Sequence, residues 1–164
     1  MIKTYSKEIK GVSPGNAGAN QVWDFSDIIF EGEPSVIKVI YPSSTAFSSY
    51  FPTGTLAETS DDQSYVISHI TSTERIRLGS FSNHSMNTTT VVYSNPMTIV
   101  KLPLKYNESF SDDFNGTYVE SDIIKSGSIT TTYDGYGTLK TQFGTYDNII
   151  RLKYTTIEKE TSQV

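Results

Sequence analysis

The chain has 164 residues, a formal net charge of −5 and no cysteine. Because phosphate backbones attract clustered Lys and Arg, an acidic chain with scattered basic residues is not expected to bind nucleic acid. The absence of cysteine excludes disulfides, thiolate nucleophiles and Cys-ligated metals. No apolar stretch approaches the roughly 18 residues that a membrane-spanning helix requires, so no transmembrane segment is predicted.

The composition favours β-structure. Val, Ile, Thr, Tyr and Phe together number 66, whereas the strong helix formers Ala and Leu number 10. Branched and aromatic side chains suit a pleated, half-buried surface and lose rotamer freedom in a helix. We therefore expect a single all-β domain over residues 1–164, with the polar ends 1–10 and 159–164 frayed.

The first part of the chain alternates between loops and short strands. Residues 11–20 carry the Gly, Pro and Asn of a loop, and residues 21–25 form a strand in which Trp23 anchors an edge of the core. Residues 35–41 are a second strand, which Pro42 ends. The Ser/Thr-rich stretch 43–63 is expected to be a long, partly ordered excursion.

The middle of the chain predicts two pairs of strands. Residues 65–70 and 74–81 form the first pair, and the second strand has Arg75 and Arg77 on one face and apolar side chains on the other. The second pair comprises residues 88–93 and 98–106, with a turn at Asn95-Pro96.

The last third of the chain is predicted to be a meander. Its strands are expected at residues 109–119, 128–133, 136–142 and 148–158, with turns at 134–135 and 143–144. About nine or ten short strands in all predict an antiparallel sandwich or a closed or partly open β-barrel. The pattern leaves these architectures open.

Three stretches carry a family resemblance. They are GNAGANQVWDFS at 15–26, NPMTIVKLPL at 95–104, and residues 134–153, which begin DGYGTL and end GTYDNIIRLK. Over residues 11–157 the chain resembles uncharacterised secreted proteins of Bacteroidetes, especially flavobacteria, that often carry a sorting domain for type IX secretion. The resemblance implies a location outside the cell or on its surface and names no chemistry. Because the first residues lack the apolar core of a signal peptide, export is expected for a parent protein.

The same motifs have a structural interpretation. Gly135, Gly137 and Gly144 permit tight reversals and a close backbone approach. Asn16, Asn20 and Asp24 can cap backbone groups of the first loop through their side chains. We therefore expect these residues mainly to maintain the fold.

The sequence contains little that indicates catalysis. The two histidines lie in different settings, His69 in a strand and His84 in a polar turn, and no metal-ligand spacing joins them. The acidic pairs 61–62 and 112–113 are candidates for paired carboxylates in glycoside chemistry or for Ca²⁺ ligands. Because neighbours in a strand point to opposite faces and the spacing of a calcium loop is absent, we expect them instead to be solvated turn residues. No catalytic residue, metal site or cofactor is predicted.

The eleven tyrosines are the main indication of function. Each buried hydroxyl needs a partner, and exposed Tyr beside Asn, Asp and Thr is typical of carbohydrate- and protein-binding surfaces. The candidate ligand-binding residues are Tyr41, Tyr50 and Phe51 around the excursion, and Tyr133 and Tyr136 around the glycine motif.

Three functions are compatible with these observations. The first is a non-enzymatic extracellular or cell-surface module that binds a glycan or a protein surface. The second is a barrel-type carrier of a small apolar ligand. The third is a hydrolase or lyase that uses His69 with a Tyr or Asp. The oligomeric state is left open.

Overall fold

The computed structural model describes residues 2–4, 13–30, 33, 35–84 and 87–162. These residues form one mixed sheet of ten strands and contain no α-helix. The strands are β1 (Ile2–Thr4), β2 (Gly18–Phe25), β3 (Ser35–Ile40), β4 (Leu56–Thr59), β5 (Ser64–Ile70), β6 (Glu74–His84), β7 (Asn87–Lys101), β8 (Ser109–Tyr118), β9 (Ile123–Thr141) and β10 (Gly144–Ser162). Two 3-10 turns, Pro42–Ser44 and Ser48–Tyr50, precede β4. The all-β prediction is confirmed.

The sheet is open. It starts with β1 beside β3 and then follows chain order to β10, while β2 lies off this path and pairs with β9. Strand β9 has β10 along the whole of one edge. Its other edge pairs with β8 at residues 124–132 and, in parallel, with β2 at residues 135–141. Within the described part of the chain β1 and β10 do not pair with each other, so the sheet does not close into a barrel.

Two predicted turns lie inside strands instead. Asn95-Pro96 belongs to β7. This strand pairs with β6 on both sides of residues 93–96, at Val92↔Gly79 and at Met97↔Arg77. Asp134-Gly135 belongs to β9, where the pairing with β10 shifts between Arg151 and Leu152. Turn-forming residues also suit bulges, in which one strand takes up extra residues without reversing. The predicted turn near Phe143-Gly144 is confirmed, because it joins β9 to β10.

The excursion is better ordered than the sequence predicts. Residues 56–59 form β4, and Phe47 and Phe51, which flank the second 3-10 turn, are buried against the sheet. The Phe47 ring stacks on Phe81 with ring centroids 4.4 Å apart and lies 4.9 Å from the Tyr65 ring. Isolated aromatic residues in a polar segment therefore supply a core, since each buries a large apolar area.

A second core lies farther along the sheet. It is formed by five buried residues of β7, β8 and β9, namely Val91, Tyr93, Met97, Phe114 and Ile129. The Thr131 hydroxyl, at a fully buried residue, donates to the carbonyl of Ile99 at 2.8 Å and so joins β9 to β7 directly. This contact satisfies a buried polar group within the core.

The polar end of the chain is paired rather than frayed. Residues 159–162 of β10 pair with residues 123–126 of β9. The Lys125 ammonium lies 3.1 Å from the Glu158 carboxylate, and the Tyr118 hydroxyl donates to Glu160. Burial and this hydrogen bond raise the pKa of Tyr118 to about 12. Residues 163–164 lie outside the described residues, as do residue 1 and residues 5–12 at the other end.

Residues 2–4 form β1 on the edge of β3. Among the described residues, no helical segment has the length and hydropathy of a membrane span.

Candidate functional site

A polar recess lies where β2, β9 and β10 meet. Its volume is about 350 Å³. The residues that line it are Asn20, Gln21, Val22, Tyr136, Gly137, Thr138, Asp147 and Asn148. We call it the asparagine recess. It draws on all three strands at the corner of the sheet, and all eight of these residues lie within the glycine-containing stretches 15–26 and 134–153.

Gly137 allows β2 to reach this position. A Cβ atom at Gly137 would lie 1.9 Å from the carbonyl oxygen of Gln21, well inside the contact distance of two atoms. Glycine therefore permits the backbones of β2 and β9 to approach closely. The parallel pairing Gln21↔Gly137 then brings the end of the first loop beside Tyr136.

Both asparagines of the recess have left-handed backbone conformations. The φ angle is 53° at Asn20 and 59° at Asn148. Asn148 lies where the pairing of β10 with β9 shifts between Tyr146 and Ile149, so it is an extra residue in a bulge. Asparagine tolerates this region better than most residues, although at some cost. Two such residues in one recess are a feature that tends to accompany function.

The side chains of the recess offer hydrogen-bonding groups. The Thr138 hydroxyl donates to the Asp147 carboxylate at 2.7 Å, which orients that carboxylate. Asn20 and Asn148 are exposed, and their amide groups make no hydrogen bond to any other described residue. Each amide carries two N–H donors and one carbonyl acceptor. The recess therefore presents neutral donors and acceptors beside one carboxylate.

Three tyrosines are joined next to the recess. The Tyr106 ring makes edge-to-face contacts with Tyr136 and Tyr133, with centroid separations of 5.1 and 5.7 Å. The backbone N–H of Asn107 donates to the Tyr133 carbonyl at 2.9 Å and holds the Tyr106 segment in place. The structure thus brings the predicted residues Tyr133 and Tyr136 into one cluster. Sequence reasoning missed Tyr106, since its contacts are long-range and leave no local pattern.

An arginine clamp supports the same corner. Arg151 donates to the Asp134 carboxylate through Nε at 2.7 Å and through Nη2 at 2.8 Å. Its Nη1 donates to the Gly15 carbonyl at 2.7 Å, and its guanidinium lies 5.7 Å from the Trp23 ring. The hydrogen bonds from Arg151 lower the pKa of Asp134. The buried Trp23 is therefore a packed anchor, as predicted, and the glycine motif has a structural role.

The other predicted ligand residues lie around the excursion. Tyr41 is 76% exposed and Tyr50 is 42% exposed, so both can contact a partner. Phe51 is only 3% exposed and belongs to the core beneath the 3-10 turns. Phe51 is therefore not accessible to a ligand, because the excursion folds that ring inward. The five predicted residues fall into two separate groups.

The histidines do not form a recognisable catalytic arrangement. His69 Nδ1 bonds to the carbonyl of Thr53 at 2.7 Å, and no carboxylate or Tyr hydroxyl of the described residues lies within hydrogen-bond reach of its ring. His84 Nε2 lies 2.7 Å from the Ser64 hydroxyl and 3.6 Å from the Asp61 carboxylate. A Ser–His–Asp triad uses one ring nitrogen for each partner. Here the same nitrogen faces both groups.

The acidic pairs have structural partners. Asp61 accepts hydrogen bonds from the backbone N–H groups of Ser64 and Gln63 at 2.7 and 2.9 Å, which lower the pKa of its carboxyl group to about 2. It is a turn residue, as predicted. Asp112-Asp113 instead lies within β8, and Asp112 accepts a hydrogen bond from the backbone N–H of Thr98 at 2.7 Å. No three His, Asp or Glu side chains of the described residues converge as a metal site.

No protein-family model matches the chain, and no curated protein or solved structure matches it either. The resemblance to secreted flavobacterial proteins stays a prediction from the motifs.

Proposed function

We propose that the chain is a non-enzymatic extracellular or cell-surface module that binds a neutral glycan in the asparagine recess. The observation that carries this proposal is the pair of left-handed asparagines, Asn20 and Asn148, which line one recess with Tyr136 and whose amide groups make no hydrogen bond to another described residue. The location outside the cell rests on the motif resemblance.

The chemistry of the recess suits a sugar. A pyranose presents C–H groups on its faces and hydroxyl groups at its rim. The face of the Tyr136 ring carries partial negative charge that attracts C–H groups, while the asparagine amides can donate to and accept from hydroxyls. The volume of about 350 Å³ lies at the small end of known ligand sites, which favours a short saccharide or the end of a longer one.

The charge of the recess favours a neutral ligand. Asp147 is the only ionisable group besides Tyr136 among the lining residues, and no cation accompanies it. An acidic sugar would place two negative charges close together in a partly enclosed site, which is unfavourable.

A protein partner has less support. Strand β10 has an open outer edge in the described structure, and such edges can accept a strand from another chain. However, β10 carries Lys153, Glu158, Lys159 and Glu160 and two irregularities in its pairing. Charged side chains and bulges on an edge discourage pairing with other strands.

The two other functions lose the features on which they depend. A barrel-type carrier requires a closed lumen, and the sheet formed by the described residues is open. A hydrolase that uses His69 requires an acidic or phenolic partner, whereas this ring bonds to a backbone carbonyl.

Replacement of both asparagines by glycine tests the proposal. Glycine adopts positive φ without a steric penalty, so Asn20→Gly with Asn148→Gly removes the amides and keeps the backbone conformation. An array of neutral hexose, N-acetylhexosamine and uronic acid oligosaccharides should show binding of neutral members to the parent protein. For the best of these, calorimetry should show at least a tenfold loss of affinity in the double variant, with an unchanged or higher Tm.

The matched control is Asp62→Gly, because Asp62 also has positive φ, at 57°, but lies in the turn between β4 and β5. It should bind as the parent does. An array without neutral binders, or equal affinity of the double variant and the parent, would contradict the proposal.

A further inference from the structure

A second candidate site surrounds Arg77, in the middle of the sheet. Arg77 lies in β6, between β5 and β7. Two cavities share this side chain. One, of about 490 Å³, is lined by residues of β3 to β6. The other, of about 440 Å³, is lined by residues of β6, β7, β9 and β10. We call the pair the Arg77 groove.

Arg77 lacks an ionic partner in the described structure. The neighbouring Arg75 is paired with Glu58, and Glu158 at the far wall is paired with Lys125. The carboxylates that line the groove are therefore already neutralised, whereas Arg77 makes neither a salt bridge nor a hydrogen bond to a described residue. A half-buried guanidinium without a counter-charge is unusual, because removing a charge from water is costly.

Other polar groups of the same strands are also unsatisfied. Ser68 pairs directly with Arg77 across β5 and β6. Its hydroxyl is buried and has no hydrogen-bond partner among the described residues, and the same holds for Nε of Arg75. Buried polar groups are paired in the large majority of cases. This part of the sheet therefore has more hydrogen-bonding capacity than its described residues use.

The walls on either side of Arg77 are largely apolar. Met97, Ile99, Ile129 and the ring of Tyr154 line the second cavity, and Val66 and Ile37 line the first. Most of the groove would favour an apolar body, and Arg77, which has no ionic partner among the residues that the structure describes, would favour a negative group.

We infer that the Arg77 groove binds a small carboxylic acid with an apolar body. The planar guanidinium donates two parallel hydrogen bonds to the carboxylate, and the apolar body fills the cavity beside Met97 and Ile129. Each cavity volume falls within the range of small-molecule sites, about 300–1,000 Å³. This site is independent of the asparagine recess, which has no cation.

The test compares octanoate with 1-octanol, which has the same chain and no charge, by titration calorimetry. Octanoate should bind at least tenfold more tightly than octanol. Arg77→Gln should weaken octanoate binding about tenfold or more, since hydrogen bonds to charged groups contribute that much, and should leave octanol binding unchanged. Arg77→Lys keeps the charge and loses the bidentate geometry, so its affinity for octanoate should lie between that of the parent and that of Arg77→Gln.

The control is Lys105→Gln, which removes one exposed positive charge outside the groove and should bind octanoate as the parent does. Amide NMR shifts on octanoate addition should be largest at residues 97, 99 and 129. Equal affinities for octanoate and octanol overturn the inference. An Arg77→Gln variant that binds octanoate as tightly as Lys105→Gln does also overturns it. The inference is overturned as well if the parent protein binds neither octanoate nor 3-phenylpropionate, a second carboxylic acid with an apolar body. If Arg77→Gln fails to fold, the Arg77→Lys variant and the ligand comparison decide.

Discussion

Two regions of the sheet are stabilised by different kinds of interaction. Around β4 to β6 the excursion packs aromatic rings on the sheet, with Phe47 and Phe51 buried. Around β2, β9 and β10 the chain is held by hydrogen bonds from Arg151, with glycines where backbones approach. The aromatic half depends on buried apolar area, which tolerates some repacking. The polar corner depends on the exact positions of hydrogen-bonding groups and of closely approaching backbones. Both the arginine clamp and the asparagine recess require these positions.

The largest effect is expected from the aromatic half. Phe47→Ala removes a ring that is 4% exposed and contacts three other aromatic rings. The lost burial and the resulting cavity should lower the free energy of unfolding by about 3–5 kcal/mol. Urea denaturation measures this change. Tyr41→Ala, at an exposed ring of the same segment, should stay within about 0.5 kcal/mol of the parent, and similar losses in both variants would contradict the assigned core.

The next effect concerns the close approach of β2 and β9. Gly137→Ala should cost about 1–3 kcal/mol, because the new methyl group meets the Gln21 carbonyl and the strands must move apart. It should also abolish glycan binding in the recess. Gly144→Ala is the matched control. Its φ of 149° is close to the 158° of Gly137, but its nearest neighbouring atom is 3.9 Å away.

Backbone strain affects both alanine variants, so the difference between their unfolding free energies measures the close approach itself. Equal destabilisation would show that β2 does not depend on this contact.

A smaller, pH-dependent effect is expected from the clamp. Asp134→Asn removes the charged acceptor of Arg151 and should cost about 1–3 kcal/mol at neutral pH. The folded pKa of Asp134 is below its ordinary value of 3.8, because the ionised carboxylate accepts hydrogen bonds from Arg151. The contribution of the Asp134 carboxylate to the free energy of unfolding is therefore present above about pH 4. It is lost as the pH falls through the lowered folded pKa.

Urea denaturation of the parent and Asp134→Asn between pH 7 and pH 2.5 checks this linkage. The difference between the two proteins should be constant above pH 4 and shrink below it. Asp61, whose pKa is about 2, titrates in both proteins, so the difference isolates Asp134. The control is Asp113→Asn, at an exposed carboxylate in β8, which should unfold at nearly the same urea concentration as the parent at neutral pH. A difference between the parent and Asp134→Asn that widens at low pH would refute the linkage.

Most strands could be predicted from local patterns. The predicted strands at 35–41 and 65–70 correspond to Ser35–Ile40 and Ser64–Ile70. Alternation of apolar and polar residues has a period of two, which is visible in a few residues and directly reflects which face is covered.

The errors occurred where the same residues suit two structures. Asn95-Pro96 and Asp134-Gly135 have the chemistry of turns, yet the chain continues through both as irregular strand. A bulge and a turn use similar backbone angles, and the neighbouring strand decides between them. That neighbour is distant in sequence, so local reasoning predicted a reversal.

The candidate site was predictable only in part. Tyr133 and Tyr136 could be singled out as aromatic residues beside a glycine motif. Asn20 was expected only to cap a loop, and Asn148 and Tyr106 were not selected. Their meeting depends on the pairing of β2 with β9 and on a bulge in β10. Arg77 was predicted only to lie on one face of its strand. That it has no ionic partner among the described residues is visible only once their charges are placed in the structure.

The sequence by itself determined that this protein is made of β-strands, that it lacks cysteine chemistry and where most strands lie. These properties follow from composition and from contacts between near neighbours. The tertiary structure alone decided that the sheet stays open, that the excursion forms a core, and that Asn20, Tyr136 and Asn148 share one recess. Each of these depends on contacts between residues far apart in the chain, which become favourable only when the whole sheet has assembled.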